Sequence, residues 1–516
     1  MSNIVLLSRL QFALTAMYHF LFVPLTIGMA LLIAIMETIY VILNKKIYKD
    51  MTKYWGKLFA INFTLGIATG IIMEFQFGTN WSYFSHYIGD IFGAPLAIES
   101  LMAFFLESTF IGLLLFGWNQ LGKIQHLSVT WLVALGSNLS ALWILIANGW
   151  MQNPIASYFN YETMRMEIIS FIDLILNPVA QVKFLHTITA SYCTGAIFIL
   201  SISSYYILNK RNIDFANRSF IIATLFGIIF VLLVIILGDE SGYKLGEVQK
   251  TKLAAIEAVW NTESAPASFT LFSFPNQNKQ MNNLVTMRIP YILGIIVTRS
   301  TNRQIIGLKD LMTQYEIRIR NGIKVYNLLE QLRSGNTDFF LYKEFNYFKH
   351  NLGYGLLLKS YTKNIIECNE QYIREATKNS IPYVKPIYFS FRLMVISGLL
   401  MLLLIFLCFL TILYNSIGKH RWLHYILLYS IPLPWIAIES GWFIAEYGRQ
   451  PWAINEILPT TIAHSTLTYT DILISIIFIC ILYLLVLIIE IYLLFKFIYL
   501  GPNINNIYDK KIFFKK

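Results

Sequence analysis

The chain has 516 residues, 56% of them hydrophobic and only 13% charged, and a mean hydropathy of +0.57, which excludes an ordinary soluble domain and indicates a polytopic membrane protein. A net charge of +11 would suggest nucleic acid in a soluble protein, but here the positions of Lys and Arg explain it as a membrane-orientation bias, so no nucleic-acid partner is expected. The four cysteines (Cys193, Cys368, Cys408, Cys480) form no CxxC and the eight histidines include no adjacent pair, so zinc, thioredoxin chemistry, c-type haem attachment and a haem–copper centre all lack a sequence basis.

Nine apolar segments long enough to cross a bilayer run over about 12–43, 57–78, 94–118, 127–149, 183–207, 219–238, 389–414, 423–446 and 470–499. The first exceeds a signal-peptide core, lacks a small-residue cleavage site, and is expected to stay as an anchor. Residues 1–238 thus hold six spans and 387–516 the last three, with a polar excursion over 239–386 between them. Within the excursion, Ile306, Leu308, Leu311, Met312, Tyr315, Ile319, Ile323 and Leu329 recur at helical spacing, predicting an amphipathic helix over 303–332. Short connections carrying Lys45, Lys46, Lys49, Lys53, Lys123, Lys210, Arg211, Arg218, Lys419 and Arg421 belong inside, as does a C-terminus with Lys510, Lys511, Lys515 and Lys516. Connection 79–93 has neither Lys nor Arg. The N-terminus and the excursion are therefore expected outside.

Orientation converts sequence position into depth. His19 in the first span, His186 in the fifth, Arg392 and Met394 in the seventh and Glu446 in the eighth all fall in one layer near the outer face. A lone membrane His is more often hydrogen-bonded core than ligand, and Met is common in cores. Together, however, these residues suit a haem, whose axial ligands are usually His, with Met raising the potential. The third span holds Glu99 and Glu107, eight residues apart, hence about 12 Å along a helix and on roughly one side. Two intramembrane carboxylates in line suit a proton relay, extended by Ser108 and Ser140, or else pair with neighbouring helices for packing. Early in the excursion, Lys252 and Glu257 lie five residues apart, within reach of one small polar ligand or on a solvated amphipathic helix.

The eighth segment places Glu439 and Glu446 about two turns apart with Trp442 between them, then breaks at Gly448 and Pro451 with Arg449 at the boundary. A carboxylate in hydrocarbon costs at least ~2.5 kcal/mol, so each needs a partner, a proton or a role. A carboxylate, a flat aromatic and a guanidinium at an interface suit a planar anionic cofactor.

These residues, with Gly448-Arg449-Gln450-Pro451-Trp452, resemble subunit I of the cytochrome bd quinol oxidases. The similarity extends over Gln11–His19, Glu99–Ser108, Gly238–Ala258, Thr298-Arg299-Ser300 and Ser390–Met394. The long excursion resembles the long-loop subgroup, with divergent filler at 276–283 and 334–350.

The resemblance implies an all-α membrane protein of two four-helix bundles plus one helix. It also implies a quinol oxidase of the bacterial cytoplasmic (inner) membrane, reducing dioxygen to water through three haems and generating a proton motive force without pumping. By the same resemblance, His186 and Met394 ligate low-spin haem b, with Arg392 beside it. His19 and Glu446 serve high-spin haem b and haem d, with Glu99 close by, in an order left open. Trp442 and Arg449 complete the cofactor layer, Glu107 lies on the proton path, and Lys252 and Glu257 meet quinol. A second large membrane subunit and small single-span subunits are implied partners. A proton- or cation-coupled transporter using Glu99, Glu107 and Glu446 is the competing reading, although such folds usually show an internal repeat and none is visible.

Overall fold

The structure, a computed structural model, describes residues 3–336 and 338–502. The C-terminal lysines used for orientation lie outside the described residues. Among the described residues, nine helical segments are long and apolar enough to span a membrane, at the expected places. Helices close all backbone hydrogen bonds internally, which lipid requires.

The first span is α1 (Asn3–Phe20) and α2 (Val23–Leu43), interrupted at Leu21-Phe22. Pro24 stands in the first turn of α2, where its missing N–H costs little. Leu21 O at the break accepts from Trp435 Nε1 at 2.7 Å, and Phe22 O, which accepts Thr26 N–H at 3.0 Å, takes a second bond from Asn62 Nδ2 at 2.9 Å. His19 therefore occupies the last turn of α1, and that helix starts earlier than the apolar run alone indicates.

The second span is α3 (Lys46–Thr79), and the third joins α4 (Ser82–Ile98) to α5 (Phe105–Phe116) through a π-helical stretch at Glu99–Phe104. The fourth and fifth spans are α6 (Lys123–Gln152) and α7 (Pro178–Leu208), with a hairpin of β1 (Ser157–Asn160) and β2 (Arg165–Ile168) between them. The sixth is α8 (Ile213–Val248), which runs well past residue 238 into the polar excursion. After the excursion come α11 (Val384–Leu413), α12 (Arg421–Tyr429) with α13 (Leu433–Tyr447), and α14 (Tyr469–Leu500).

Spans one to four pack on one another, as do spans five to eight, and α14 lies against α1 and α3. This is the expected pair of four-helix bundles plus one helix. The bundles meet along α2 and α7, where a Cβ on Gly28 would fall 2.2 Å from Ser191 O and one on Gly195 2.7 Å from the Gly28 carbonyl carbon. Only hydrogen side chains allow that approach, which in lipid replaces a hydrophobic driving force.

The excursion is a folded layer. It contains α9 (Lys250–Ile256), a hairpin of β3 (Phe269–Asn276) and β4 (Met281–Ile289), and α10 (Leu308–Arg333). The helix expected over 303–332 is α10, and its stripe buries Leu308, Leu311, Tyr315, Ile319 and Leu329. The divergent stretches have definite places: 276–283 is the β3–β4 tip, and 334–350 carries a helix (Phe339–Phe348) capped by Asp338. The loop core includes Ile444 and Trp452 from the eighth span and its exit turn. The excursion is therefore packed onto the Gly448–Trp452 turn.

Candidate functional site

The densest polar cluster forms where α13 ends beneath the loop. Glu446 accepts from Arg449 Nη2 at 2.6 Å, Asn148 Nδ2 at 3.0 Å and Gln152 Nε2 at 3.2 Å, with Lys183 Nζ at 3.8 Å. Lys183 also donates to Asn148 Oδ1 and sits 5.1 Å above the Trp442 ring, which stacks on Phe20 at 5.2 Å. Lys252 enters from the loop, donating to Gln152 Oε1 at 2.5 Å, Gln249 Oε1 at 2.8 Å and Ala445 O at 2.9 Å. The two carboxamides thus act as bridges: Asn148 joins Lys183 to Glu446, and Gln152 joins Lys252 to Glu446.

The charges do not balance. Lys183 and Arg449 contact a single carboxylate that Lys252 reaches only through Gln152, so three cations gather around one anion, and Arg449, 5% exposed, keeps Nε and Nη1 without a partner. Buried ionic groups need compensation, so the cluster calls for further anionic oxygens. Burial, with the positive Lys183 and Arg449 nearby, pulls the Lys252 pKa well below that of a free lysine, and Glu446 opposes the shift. Three acceptors nevertheless match the three hydrogens of its ammonium. Lys252 is thus a fully hydrogen-bonded group whose charged form burial disfavours.

Glu257 has different partners. It is 6% exposed and binds Arg392 Nη2 at 2.8 Å. Arg392 also donates to Ile256 O at 2.7 Å and Thr270 O at 2.9 Å and lies 3.8 Å from the Tyr388 ring centre, while its Nε has no partner. Burial raises the Glu257 pKa and the Arg392 guanidinium lowers it. Lys252 and Glu257 are both buried, so α9 is not a solvated helix. Each is committed to its own transmembrane partner, and the structure shows no contact between them. A cavity of about 280 Å³ opens between α9, α10 and the α13 exit turn, lined by Lys252, Tyr315, Arg318, Gly448, Arg449 and Glu456 among others; Glu257 does not line it.

The ligand candidates share a local arrangement. His186 has an enclosed Nδ1 without a partner, and a Cβ on Gly238 would fall 3.3 Å from its ring. A Cβ on Gly441 would fall 3.0 Å from Met394 Sδ, and one on Gly70 3.1 Å from the His19 ring. The His19 Nδ1 lies 2.9 Å from Thr69 Oγ1. Thr69 directs its own hydrogen to Leu65 O and Gly66 O, each at 3.0 Å. It therefore accepts Nδ1–H, leaving the His19 Nε2 lone pair free for a metal. Glu439, two turns below Glu446, has both oxygens enclosed without a partner. Imidazole and thioether groups set against glycines, together with the unpartnered guanidinium nitrogens of Arg449, are what a bulky, anionic, ligand-seeking group requires, and haem fits that donor set.

Toward the lysine-rich ends of the spans, Glu99 and Glu107 both face α6. Ser140 Oγ donates to Glu99 Oε1 at 2.8 Å, and a Cβ on Gly136, one turn earlier, would meet Glu107 Cγ at 2.7 Å. The stretch Glu99–Phe104 between them is π-helical, so their spacing departs from that of a regular α-helix. Ser108 bonds its own backbone at Phe105 O, 3.3 Å, while Ser140 does reach an acid. Sequence reasoning missed Lys183, Asn148, Gln152 and Thr69. A lysine, an asparagine and a glutamine inside apolar spans were the available signal.

The family described as cytochrome bd terminal oxidase subunit I matches residues 7–502. The chain is 52% identical over 503 residues to cytochrome bd-II ubiquinol oxidase subunit 1 of Escherichia coli (strain K12), covering 98% of each. It is 36% identical over 479 residues to cytochrome bd ubiquinol oxidase subunit 1 of Bacillus subtilis (strain 168), covering 92% of this chain and 89% of that one. The structure of bd oxidase from Geobacillus thermodenitrificans superposes with a TM-score of 0.77 at 24% identity, over 97% of this chain and 99% of that chain, a likeness of fold. Nine spans, a loop seated on the Gly448–Trp452 turn and a donor set suited to haem agree with the match that covers nearly every residue: the chain belongs to the cytochrome bd terminal oxidase subunit I family.

Proposed function

We propose that the chain oxidises a quinol at its folded loop and passes the electrons inward for reduction of dioxygen to water. The observation that carries this reading is the uncompensated buried charge around Glu446, placed directly under a loop cavity that shares Lys252 and Arg449 with it. Family membership displaces the transporter alternative, and the name subunit I implies a second subunit beside it. Small single-span subunits, the inner membrane and an N-terminus outside remain part of the proposal. Ubiquinol is the quinol named for the two more similar relatives and is the substrate proposed here.

Bound haems would store electrons one at a time and activate dioxygen. The residues do the rest. His186 and Met394 would hold a low-spin haem b, with Arg392 alongside. His19 and Glu446 would serve a high-spin haem b and a haem d, while Trp442 supplies a flat wall. Arg449, Lys183 and Lys252 would meet the carboxylates of such a group. Lys252, in the cavity, would as a neutral amine accept a proton released by a quinol hydroxyl, and Glu257 fixes Arg392. Glu99 and Glu107 carry protons for water from the opposite side, so charge separates without a pump.

A reduced-minus-oxidised optical spectrum of the purified oxidase tests this. Bands of low-spin and high-spin haem b and of haem d are expected; a colourless protein overturns it.

A further inference from the structure

A second buried acid–base group lies at the lysine-rich end of the first bundle, away from the cofactor layer. Glu37 on α2 and His126 on α6 are 1% and 2% exposed, with Oε1 and Nδ1 2.6 Å apart. His126 Nε2 lies 3.1 Å from Leu114 O. A carbonyl only accepts, so Nε2 carries a hydrogen, and one further proton must lie between Nδ1 and Oε1. The pair is neutral overall and holds that proton between two bases. Thr130 Oγ donates to Glu37 Oε2 at 2.5 Å. The Trp118 ring covers His126 at 3.8 Å, and Lys49 and Lys53 lie 5.4 and 5.2 Å over that tryptophan. Lys123, at the start of α6, is bound to Asn44. No other titratable group contacts the pair among the described residues.

A purely structural ion pair this deep is a weak stabiliser, because desolvation offsets the attraction. Its position is more informative. Leu114, which receives the His126 bond, is seven residues beyond Glu107 on α5: two turns, about 10 Å, and the same face. On α6, Thr130 is followed two turns later by buried Ser137, adjacent to the Gly136 that faces Glu107. His126–Glu37, Glu107 and Glu99 thus form one column with Thr130, Ser137 and Ser140 on its flank.

We propose that the Glu37–His126 pair is the proton-loading station of this column, taking protons from the lysine-rich side and delivering them to Glu107. An arriving proton converts the pair to imidazolium and carboxylic acid. Departure of one proton past Thr130 to the Glu107 carboxylate restores it, with no electron moved. The interval of about 10 Å is bridged by two or three waters held by Thr130 and Ser137. The inference rests on the oxidase reading, which supplies the proton demand.

The test uses the assembled oxidase, with its second subunit, in vesicles. Proton uptake after an oxygen pulse is followed with a pH dye in wild type, Glu37→Gln and Thr130→Val, each checked for haem bands and anaerobic reduction by quinol. Uptake in Glu37→Gln is expected to slow about 10²-fold, the contribution of a positioned acid–base group, with a larger solvent-deuterium isotope effect and unchanged haem bands. Thr130→Val, which keeps the pair, should slow it less, with the same isotope signature. Wild-type uptake rates in Glu37→Gln overturn the inference; if that variant does not assemble, wild-type rates in Thr130→Val do so. A wild type with no haem bands or oxygen uptake removes the oxidase reading instead.

Discussion

The two ends of the molecule handle carboxylates in opposite ways. Beneath the loop, two carboxylates meet cations: Glu446 with Arg449 and Lys183, Glu257 with Arg392. Along the column toward the lysine-rich end, Glu99 meets serine hydroxyls, Glu37 a threonine and an imidazole, and Glu107 packs against a glycine. Cation partners hold charge in place, whereas hydroxyl and imidazole partners exchange protons. On the proposed reading, one end fixes a charged cofactor and the other passes hydrogen ions, the two parts that charge separation without a pump would need.

The contrast breaks most visibly at Arg449. Arg449→Leu leaves Glu446 without its 2.6 Å partner, and removal of one member of a buried pair costs ~3–5 kcal/mol. Purified oxidase carrying it should lose haem and show a shorter half-life on heating. Full haem content at wild-type thermal stability would show that the charge excess has no role in cofactor retention. Glu257→Ala comes next. It leaves Arg392 with carbonyl partners only, and loss of a hydrogen bond to a charged group is worth ~1.5–3 kcal/mol. Quinol turnover should fall while an artificial donor that bypasses quinol still supports oxygen uptake. Lys252→Ala should depress quinol turnover too, and because Lys252 also binds Ala445 O beside Glu446, it should perturb the haem served by Glu446, whereas any spectral change in Glu257→Ala should be confined to the low-spin haem beside Arg392. Equal losses with both donors would assign either residue to folding.

Much of this was legible in the chain because lipid makes it so. Nine apolar runs became nine helical segments, and the spacing of Leu308, Leu311, Tyr315 and Ile319 became one buried stripe. What could not be read is what depends on pairing across elements. Five-residue spacing suggests one shared ligand for Lys252, on α9, and Glu257, at its C-cap, yet their partners come from α6, α11 and α13, and tertiary contacts decide which way each points. The π stretch at Glu99–Phe104 carries no Gly, and Pro95 is the only local sign of strain before it. Glu37 and His126 lie 89 positions apart, a separation at which no sequence pattern links them.

A milder perturbation isolates electron entry. Met394→Leu nearly conserves volume and should cost under ~1.5 kcal/mol, so both halves of the contrast survive. Only the sulfur that faces Gly441 is lost. A low-spin haem ligated by it should become high-spin or fall in midpoint potential. An unchanged spectrum and potential would assign Met394 to core packing.

The smallest structural disturbance is the most specific test of the column. Glu107→Leu keeps a carbon in a similar place against Gly136 and removes no cation's partner, so haem content and anaerobic reduction by quinol should be those of the wild type. On the proposed reading, however, protons cross from the lysine-rich side past this position, and each charge moved against the potential stores ~2.3 kcal/mol per 100 mV. Oxygen reduction should therefore slow at a proton-limited step. Glu99→Leu should do more, because it also strips the acceptor from Ser140 next to the cofactor layer. Following haem oxidation and proton uptake together after an oxygen pulse separates the two: a lag in uptake with normal electron entry is expected for Glu107→Leu. Uptake at the wild-type rate would take Glu107 off the path, and the cation-free column would then be a packing seam whose acids are held by hydroxyls for structure alone.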